Sequence, residues 1–151
     1  MRKPFVAAVL GLVAALAGGA AYTVAQDKKH DGHAAHYIEC AKACHDCALL
    51  CDTCAKHCAT MLAEGKKEHA TTLATCQDCS SVCTSAACIT GKGGPFSDLI
   101  CQACAEACKR CGDECAKHPN DEHMKKCADE CRKCEKACRD MLQHTGQGGK
   151  K

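Results

Sequence analysis

Cysteine recurs along this chain at a spacing that matches the turn of an α-helix. The 151 residues include 19 cysteines, and most of them are separated alternately by three and four positions. Residues at this spacing share one face of a helix and form the buried seam of a helical bundle, where Leu, Ile and Val are usual. A core lined with sulfur is predicted to bind something for which sulfur is a ligand. The seam cysteines are Cys40, Cys44, Cys47, Cys51, Cys54, Cys58, Cys76, Cys79, Cys83, Cys101, Cys104, Cys108, Cys111, Cys115, Cys127, Cys131, Cys134 and Cys138.

Four helices are predicted between the breaks in this pattern. Gly65, the Gly-rich stretch that ends in Pro95, and Pro119 each interrupt a helix, and Asn120 or Asp121 can cap the last one. Helices joined by such short connections pack alternately up and down. The predicted fold class is therefore all-α, an antiparallel up-down-up-down four-helix bundle with a cysteine-lined core over residues 37–144. The expected helices are 37–64, 68–90, 96–117 and 121–144.

The second helix carries the shortest seam. Ala86 stands where the pattern after Cys83 predicts another cysteine, and Cys88 lies five positions after Cys83, outside the seam. We include Cys88 among the predicted metal ligands, either at the end of the bundle or in a local arrangement.

The two ends of the chain are predicted to lie outside the bundle. Residues 1–25 begin with Arg2 and Lys3, continue as an apolar stretch and end in small residues, which is typical of a cleaved secretory signal peptide. An uncleaved membrane anchor is the alternative. Cleavage leaves residues 26–36 as a polar, histidine-containing linker and residues 145–151 as a flexible tail. The mature chain is then expected in the periplasm or another extracytoplasmic space, without membrane association.

Charge and aromatic content argue against some partners and some kinds of core. Without Arg2 and Lys3 the 20 basic side chains fall to 18, which equals the 18 acidic ones. No basic face stands out, so nucleic acid is not an expected partner. The chain is 3% aromatic and has no Trp. A conventional apolar core would be thin, and thiols, bound metal or both must supply the packing.

An exported chain with many cysteines also suggests disulfides. Neighbouring seam residues on one helix have Cβ atoms about 5–6 Å apart, whereas a relaxed disulfide needs Cβ atoms about 3.8 Å apart. Bridges within a helix would be strained, although bridges between helices stay open. A redox-active thiol protein that uses reversible disulfides is therefore one alternative function.

The pairs of cysteines one helical turn apart favour Cu(I). Thiolates select Cu(I) among other soft ions, and an unbroken stripe lets one sulfur bridge two ions, so that many ions bind to each chain. A monovalent ion for each thiolate leaves a neutral core, whereas Zn²⁺ with four thiolates leaves a charge of −2. Four facing helices can still supply four sulfurs, so a zinc or heavy-metal sink is a second alternative.

Two other uses of cysteine fit the spacing poorly. The C-x₂-C-x₂-C-x₃-C-P pattern of ferredoxins is absent from the sequence. No βαβ pattern surrounds the C-x-x-C matches, as it would in a thioredoxin-like protein. The chain is therefore not expected to be an enzyme.

Soft and basic side chains collect at the two ends of the predicted bundle. One end gathers His57, Met61, His69, His118, His123 and Met124, and the other gathers His36, Cys88, Met141 and His144. Imidazole and thioether are weaker ligands than thiolate, and at the mouth of a thiol core they can pass metal inward. We predict the first end as the entry. Its candidate ligands are His57, Met61, His69, His118 and Met124.

These residues resemble the bacterial four-helix-bundle copper storage proteins of the cysteine-rich, exported type. The resemblance covers residues 37–141 and is sharpest at Cys54-x-x-His57-Cys58-x-x-Met61. It implies storage of multiple Cu(I) ions along the bundle axis, with His57 and Met61 at the mouth. It implies buffering of copper for supply or detoxification, copper-donor or copper-acceptor proteins as partners, and oligomers of bundles. A second match is Cys104-x-x-x-Cys108-x-x-Cys111-x-x-x-Cys115.

Overall fold

Four α-helices make up most of the computed structural model, which describes the backbone of residues 28–148 and the side chains of residues 35–144. A single 3₁₀ turn, Lys67–His69, precedes the second helix, and no strand occurs within residues 28–148. No helix in this range combines the length and the apolar character needed to cross a bilayer. The helices are α1 Lys28–Ala63, α2 Ala70–Thr90, α3 Ser97–Cys115 and α4 Glu122–Gly148.

The helices form the predicted antiparallel bundle. Helix α1 packs against α2 and α4, and α3 packs against the same two helices, so α1 and α3 face each other across the axis. The direction of the chain is visible in the core, because Cys40, the first seam thiol of α1, meets Cys138, whereas Cys51 meets Cys127. The up-down-up-down prediction is confirmed.

The core of the bundle is made of thiols. All 19 cysteines are free, and Cys88 alone among them is exposed. Alanine, Met124 and Met141 complete the buried apolar set of the described residues, and no Leu, Ile, Val or Phe belongs to it. A buried thiol packs as a small hydrophobe. The seam therefore supplies both the packing of the bundle and its ligands.

The helix boundaries differ from the prediction at both ends of the chain. Helix α1 begins at Lys28, and the expected start at residue 37 is wrong. Residues 28–36 lack proline and include two alanines, and a formed helix gains one hydrogen bond for each residue it adds. Helix α4 continues beyond His144 to Gly148. The division into signal peptide, linker, bundle and tail stays a prediction, and residues 1–25 lie outside the described part.

Two local signals set the connections at one end of the bundle. Gly65 has a φ of 87° and ends α1, with its N–H donating to the carbonyl of Leu62 at 2.9 Å. Asp121 caps α4, because its Oδ1 accepts hydrogen bonds from the N–H groups of His123 at 2.9 Å and Met124 at 3.3 Å. The capping prediction is confirmed. These two connections bring the end of α1 and the starts of α2 and α4 together.

Candidate metal centre

Sulfur atoms meet along the whole axis of the bundle. Helices α1 and α3 are diagonal to each other, yet their thiols touch at four successive levels of the seam. This requires the side chains to point at the axis from both helices. The Sγ–Sγ distances are 3.7 Å for Cys40 and Cys101, 3.8 Å for Cys44 and Cys104, 3.8 Å for Cys47 and Cys108, and 3.9 Å for Cys51 and Cys111.

The other two helices complete groups of four thiols. The Cys83 and Cys108 sulfurs lie 3.4 Å apart, and those of Cys44 and Cys138 lie 3.5 Å apart. Neighbouring groups share members, so the sites are continuous rather than separate. Five groups whose sulfurs all lie within 4.8 Å of one another are Cys44, Cys104, Cys134 and Cys138; Cys47, Cys51, Cys79 and Cys131; Cys47, Cys83, Cys108 and Cys134; Cys51, Cys111, Cys127 and Cys131; and Cys54, Cys76, Cys115 and Cys127.

This array can bind soft cations without rearrangement of the helices. Two sulfurs that each lie about 2.3 Å from one ion are at most about 4.6 Å apart, so a touching pair can share an ion. The contacts also exceed the disulfide bond length of about 2.05 Å, so the sulfurs are unlinked. The spacing suits ions with two sulfur ligands as well as ions with four.

Burial favours the protonated form of a thiol when no cation is present. Burial, and then the neighbouring thiol of Cys54, raise the pKa of Cys58 to about 12. Hydrogen bonds with Cys111 and Cys127, together with burial, also raise the pKa of Cys51. A cation that enters must therefore displace protons, and each thiolate that forms is neutralised by the metal rather than left as a buried charge.

Four histidines form one end of the sulfur array, and we call His57, His69, His118 and His123 the four-histidine end. The rings of His57 and His123 stack at 4.4 Å, and those of His69 and His118 also stack at 4.4 Å. His57 meets His69 edge to face at 6.2 Å. The structure thus brings together three predicted ligands, which are His57 on α1, His69 on the 3₁₀ turn and His118 in the connection between α3 and α4.

Asp121 fixes the orientation of His57. Oδ2 of Asp121 lies 2.7 Å from Nε2 of His57. Burial acts to raise the pKa of Asp121, but hydrogen bonds with His57 and with the N–H groups of Met124 and His123 hold it below its usual value. The carboxylate can only accept, so Nε2 of His57 carries the proton. This contact directs Nδ1 of His57, on the other side of the ring, away from Asp121.

His69 is the most buried imidazole of this end. Its side chain is 5% exposed, and its Nδ1 has no hydrogen-bond partner. Burial, and then the neighbouring His118, lower the pKa of His69. His69 is therefore neutral, which is the form that binds metals. A buried ring nitrogen without a hydrogen-bond partner is available to bind an ion.

The two predicted thioether ligands are placed differently. Met124 is fully buried, and the Cys54 thiol lies 3.4 Å from its Sδ, so it belongs to the sulfur array. Met61 is partly exposed, and its Sδ accepts a hydrogen bond from Nζ of Lys66 at 3.2 Å. Cys88 is exposed and outside the buried array. As metal ligands, all three stay predictions.

Sequence reasoning missed the side chains that support these ligands. The sequence identifies Asp121 as a cap of α4 but not as the partner of His57, and it predicts His123 at this end but not among the ligands. Thr72, whose Oγ1 lies 3.0 Å from Nε2 of His118, was not considered. An acidic residue next to a predicted metal histidine is the signal that could have identified Asp121.

The fold and the site together define a class: a four-helix bundle whose core is a continuous array of thiols for soft metal ions. The sequence model described as copper storage protein (Csp) matches residues 19–143. The chain therefore belongs to the copper storage protein family, a family of storage proteins. The predicted resemblance to that family is confirmed.

Individual relatives agree with this assignment. An uncharacterized cysteine-rich protein of Bacillus subtilis, YhjQ, is 35% identical over 108 residues, which cover 69% of this chain and 87% of that protein. A cytosolic copper storage protein from Streptomyces lividans, whose structure contains five coppers, is 32% identical in sequence. The two structures have a TM-score of 0.69, and the match covers 75% of this chain and 97% of the Streptomyces chain. The Cu(I)-bound copper storage protein BsCsp3 is 32% identical and has a TM-score of 0.63. The match covers 70% of this chain and 98% of the BsCsp3 chain.

Proposed function

We propose that this chain stores many Cu(I) ions on the thiolates of its core and has no catalytic activity. The observation that carries the proposal is the continuity of the sulfur array, in which groups of four thiols share members along the axis. Shared sulfurs allow bridged ions, and bridging is what makes a store rather than a set of isolated sites. Relatives with copper in the same fold support the choice of metal.

The test is an anaerobic titration of the reduced protein with Cu(I) against a competing chelator, with Zn²⁺ in parallel. We expect tight uptake of on the order of ten or more Cu(I) ions for each chain. Uptake of only a few ions would overturn the proposal. A preference for zinc at four thiols for each metal would instead establish the zinc or heavy-metal sink.

The four-thiol groups give the zinc alternative a specific observation in its favour. Four sulfurs within 4.8 Å can close around a tetrahedral ion. Charge favours Cu(I), because a divalent ion that binds four unshared thiolates leaves a charge of −2 in the core. The redox alternative differs in its chemistry: titration of thiols in the freshly isolated protein gives free thiols for a store and cycling disulfides for a redox protein.

We infer that copper enters at the four-histidine end. His57, Met61, His69, His118 and Met124 are the proposed ligands of this entry. The unpartnered Nδ1 of His69 and the contact of Met124 with Cys54 support a path from imidazole to thioether to thiol. Weaker ligands at the mouth let an ion dissociate inward, onto the thiolates.

We also propose that the chain is of the exported type and acts in the periplasm or another extracytoplasmic space. The sequence of residues 1–25 supports this proposal, whereas the Streptomyces relative is a cytosolic protein. Copper-donor or copper-acceptor proteins and further copies of the chain are its proposed partners. Cell fractionation with N-terminal sequencing tests the location: a mature chain that begins at Gln26 supports export, and an intact Met1 in the cytosol contradicts it.

A further inference from the structure

A third pair of histidines stacks at the opposite end of the bundle. The rings of His36 on α1 and His144 on α4 lie 3.8 Å apart and are inclined by 17°. Both side chains are partly exposed. Met141 lies one helical turn before His144 and is 2% exposed. We call His36, Met141 and His144 the two-histidine end.

These side chains surround a cleft that reaches the first thiol of the array. The cleft has a volume of about 290 Å³, and Cys40 contributes to its wall although it is only 2% exposed. The Cys40 sulfur lies 3.7 Å from that of Cys101 and 3.9 Å from that of Cys138. Imidazole, thioether and thiol therefore follow one another from the surface to the core. The lining consists of His36, Glu39, Cys40, Ala137, Asp140, Met141, Gln143 and His144.

The array is incomplete at this end, and the deficit supports a metal role over packing alone. Helix α2 contributes Ala86 and Thr90 here, both fully buried, in place of cysteine. Cys40, Cys101 and Cys138 therefore receive no thiol from α2 at this level. The thioether and imidazoles of the two-histidine end lie in the same cleft and can add to the ligands of an ion bound there.

The length of the sulfur array explains why a second exit for metal ions would be useful. Cys40 and Cys58 lie 18 residues apart on α1, which corresponds to about 27 Å at the rise of an α-helix. An ion bound near Cys40 that could leave only through the four-histidine end would have to pass every level of the array. An exit beside Cys40 removes that passage.

We propose that the two-histidine end is a second site of Cu(I) exchange, which loads and unloads the array at Cys40 in parallel with the four-histidine end. This inference rests on the proposed storage of Cu(I). His36 and His144 bind the ion transiently, and Met141 passes it to the thiols of Cys40 and Cys138. Thioether and thiolate ligands favour soft ions such as Cu(I) at this site.

The test measures removal of Cu(I) from the fully loaded, full-length protein by a chromophoric Cu(I) chelator in stopped flow. The variants are His36→Ala/His144→Ala, the entry variant His57→Ala/Met61→Ala, and the combination of all four substitutions. His45→Ala is the matched control, because His45 is an exposed histidine in the middle of α1. Circular dichroism confirms that each variant is folded.

Parallel routes predict a particular pattern of rates. His36→Ala/His144→Ala alone slows removal by about twofold at most, because the other route remains. The same pair added to the entry variant slows removal by a further factor of about five, which corresponds to about 1 kcal/mol on the barrier. His45→Ala changes neither rate. Imidazole NMR signals of His36 and His144 shift when Cu(I) is added to the entry variant.

The outcome separates this inference from the storage function. The second site is refuted if His36→Ala/His144→Ala behaves like His45→Ala in both the unmodified protein and the entry variant, or if the imidazole signals do not shift. A high copper capacity would still support the storage function in that case. If the unmodified protein takes up only a few Cu(I) ions, the storage function fails first, and the second site fails with it.

Discussion

The four-histidine end and the two-histidine end lie at opposite ends of the same sulfur array. They differ in how many neighbouring side chains hold their candidate ligands in place. At the first, Asp121 orients His57, Thr72 contacts His118, and a buried Met124 touches Cys54. At the second, two histidines stack beside a cleft that Cys40 borders, and α2 supplies no cysteine. Histidines that are held in one orientation bind a metal ion more tightly. Two rings that only stack on each other can separate and release the ion.

The difference shows how the same ligand chemistry can serve two tasks. The seam between the ends is nearly uniform, because every level repeats thiols from facing helices. The ends vary in what surrounds the ligands, namely a capping carboxylate at one and a break in the α2 seam at the other. We therefore expect the seam to dominate stability and capacity, and the ends to set rates.

The largest effect should come from loading the seam itself. Binding to the folded state alone stabilises it by about 4 kcal/mol for one site at a thousandfold excess over Kd, and a chain of this size gains a few degrees for each kcal/mol. We expect Cu(I) loading to raise the melting temperature by more than about 10 °C, measured by anaerobic circular dichroism. An unchanged melting temperature contradicts binding in the core, and chelation should return the original value.

A thiol inside the seam should matter more for capacity than one outside it. The Cys51 sulfur contacts those of Cys47, Cys111, Cys127 and Cys131. Cys51→Ser should therefore lower the copper capacity by about one or two ions, since its thiolate bridges neighbouring sites.

Cys88 provides the matched comparison for that substitution. Its thiol is exposed, so Cys88→Ser should lower the capacity by less than Cys51→Ser does. Both variants are loaded to saturation and their copper is counted by elemental analysis. Equal losses would mean that sharing of sulfurs along the axis does not determine the capacity.

The entry variant should affect rate rather than capacity. His57→Ala/Met61→Ala removes an oriented imidazole and a surface thioether but leaves the seam intact. We expect Cu(I) loading to slow by about fivefold, with a capacity lower by at most about one ion, since no thiolate is lost. A large loss of capacity would place these side chains in the store rather than at its mouth.

The seam could be predicted from sequence because helical periodicity is local. Alternation of three and four residues defines one face of a helix whatever surrounds it, so the burial of Cys47 or Cys108 follows from spacing alone. The break at Ala86 was visible for the same reason, and α2 indeed ends its seam with Cys83. These predictions needed no knowledge of which helices are neighbours.

The support around the ligands could not be predicted in this way. His57 and Asp121 are 64 positions apart, and their contact depends on the exact relation between α1 and the start of α4. Asp121 also had a sufficient local explanation as a helix cap, which concealed its second role. Likewise, His36 and His144 could be assigned to one end of the bundle, but not to a stacked pair.

The smallest effect, and the sharpest test of the comparison between the ends, concerns the two roles of Asp121. Asp121→Ala removes both the cap of α4 and the partner of His57, whereas Asp121→Asn keeps a capping side chain and loses the carboxylate. Asp121→Ala should lower the free energy of unfolding of the apo protein by about 1 kcal/mol, measured by denaturant titration. Asp121→Asn should leave that energy nearly unchanged, yet both variants should slow Cu(I) loading by about twofold. If Asp121→Asn loads at the original rate, the carboxylate serves the helix alone, and its contact with His57 does not distinguish the four-histidine end from the two-histidine end.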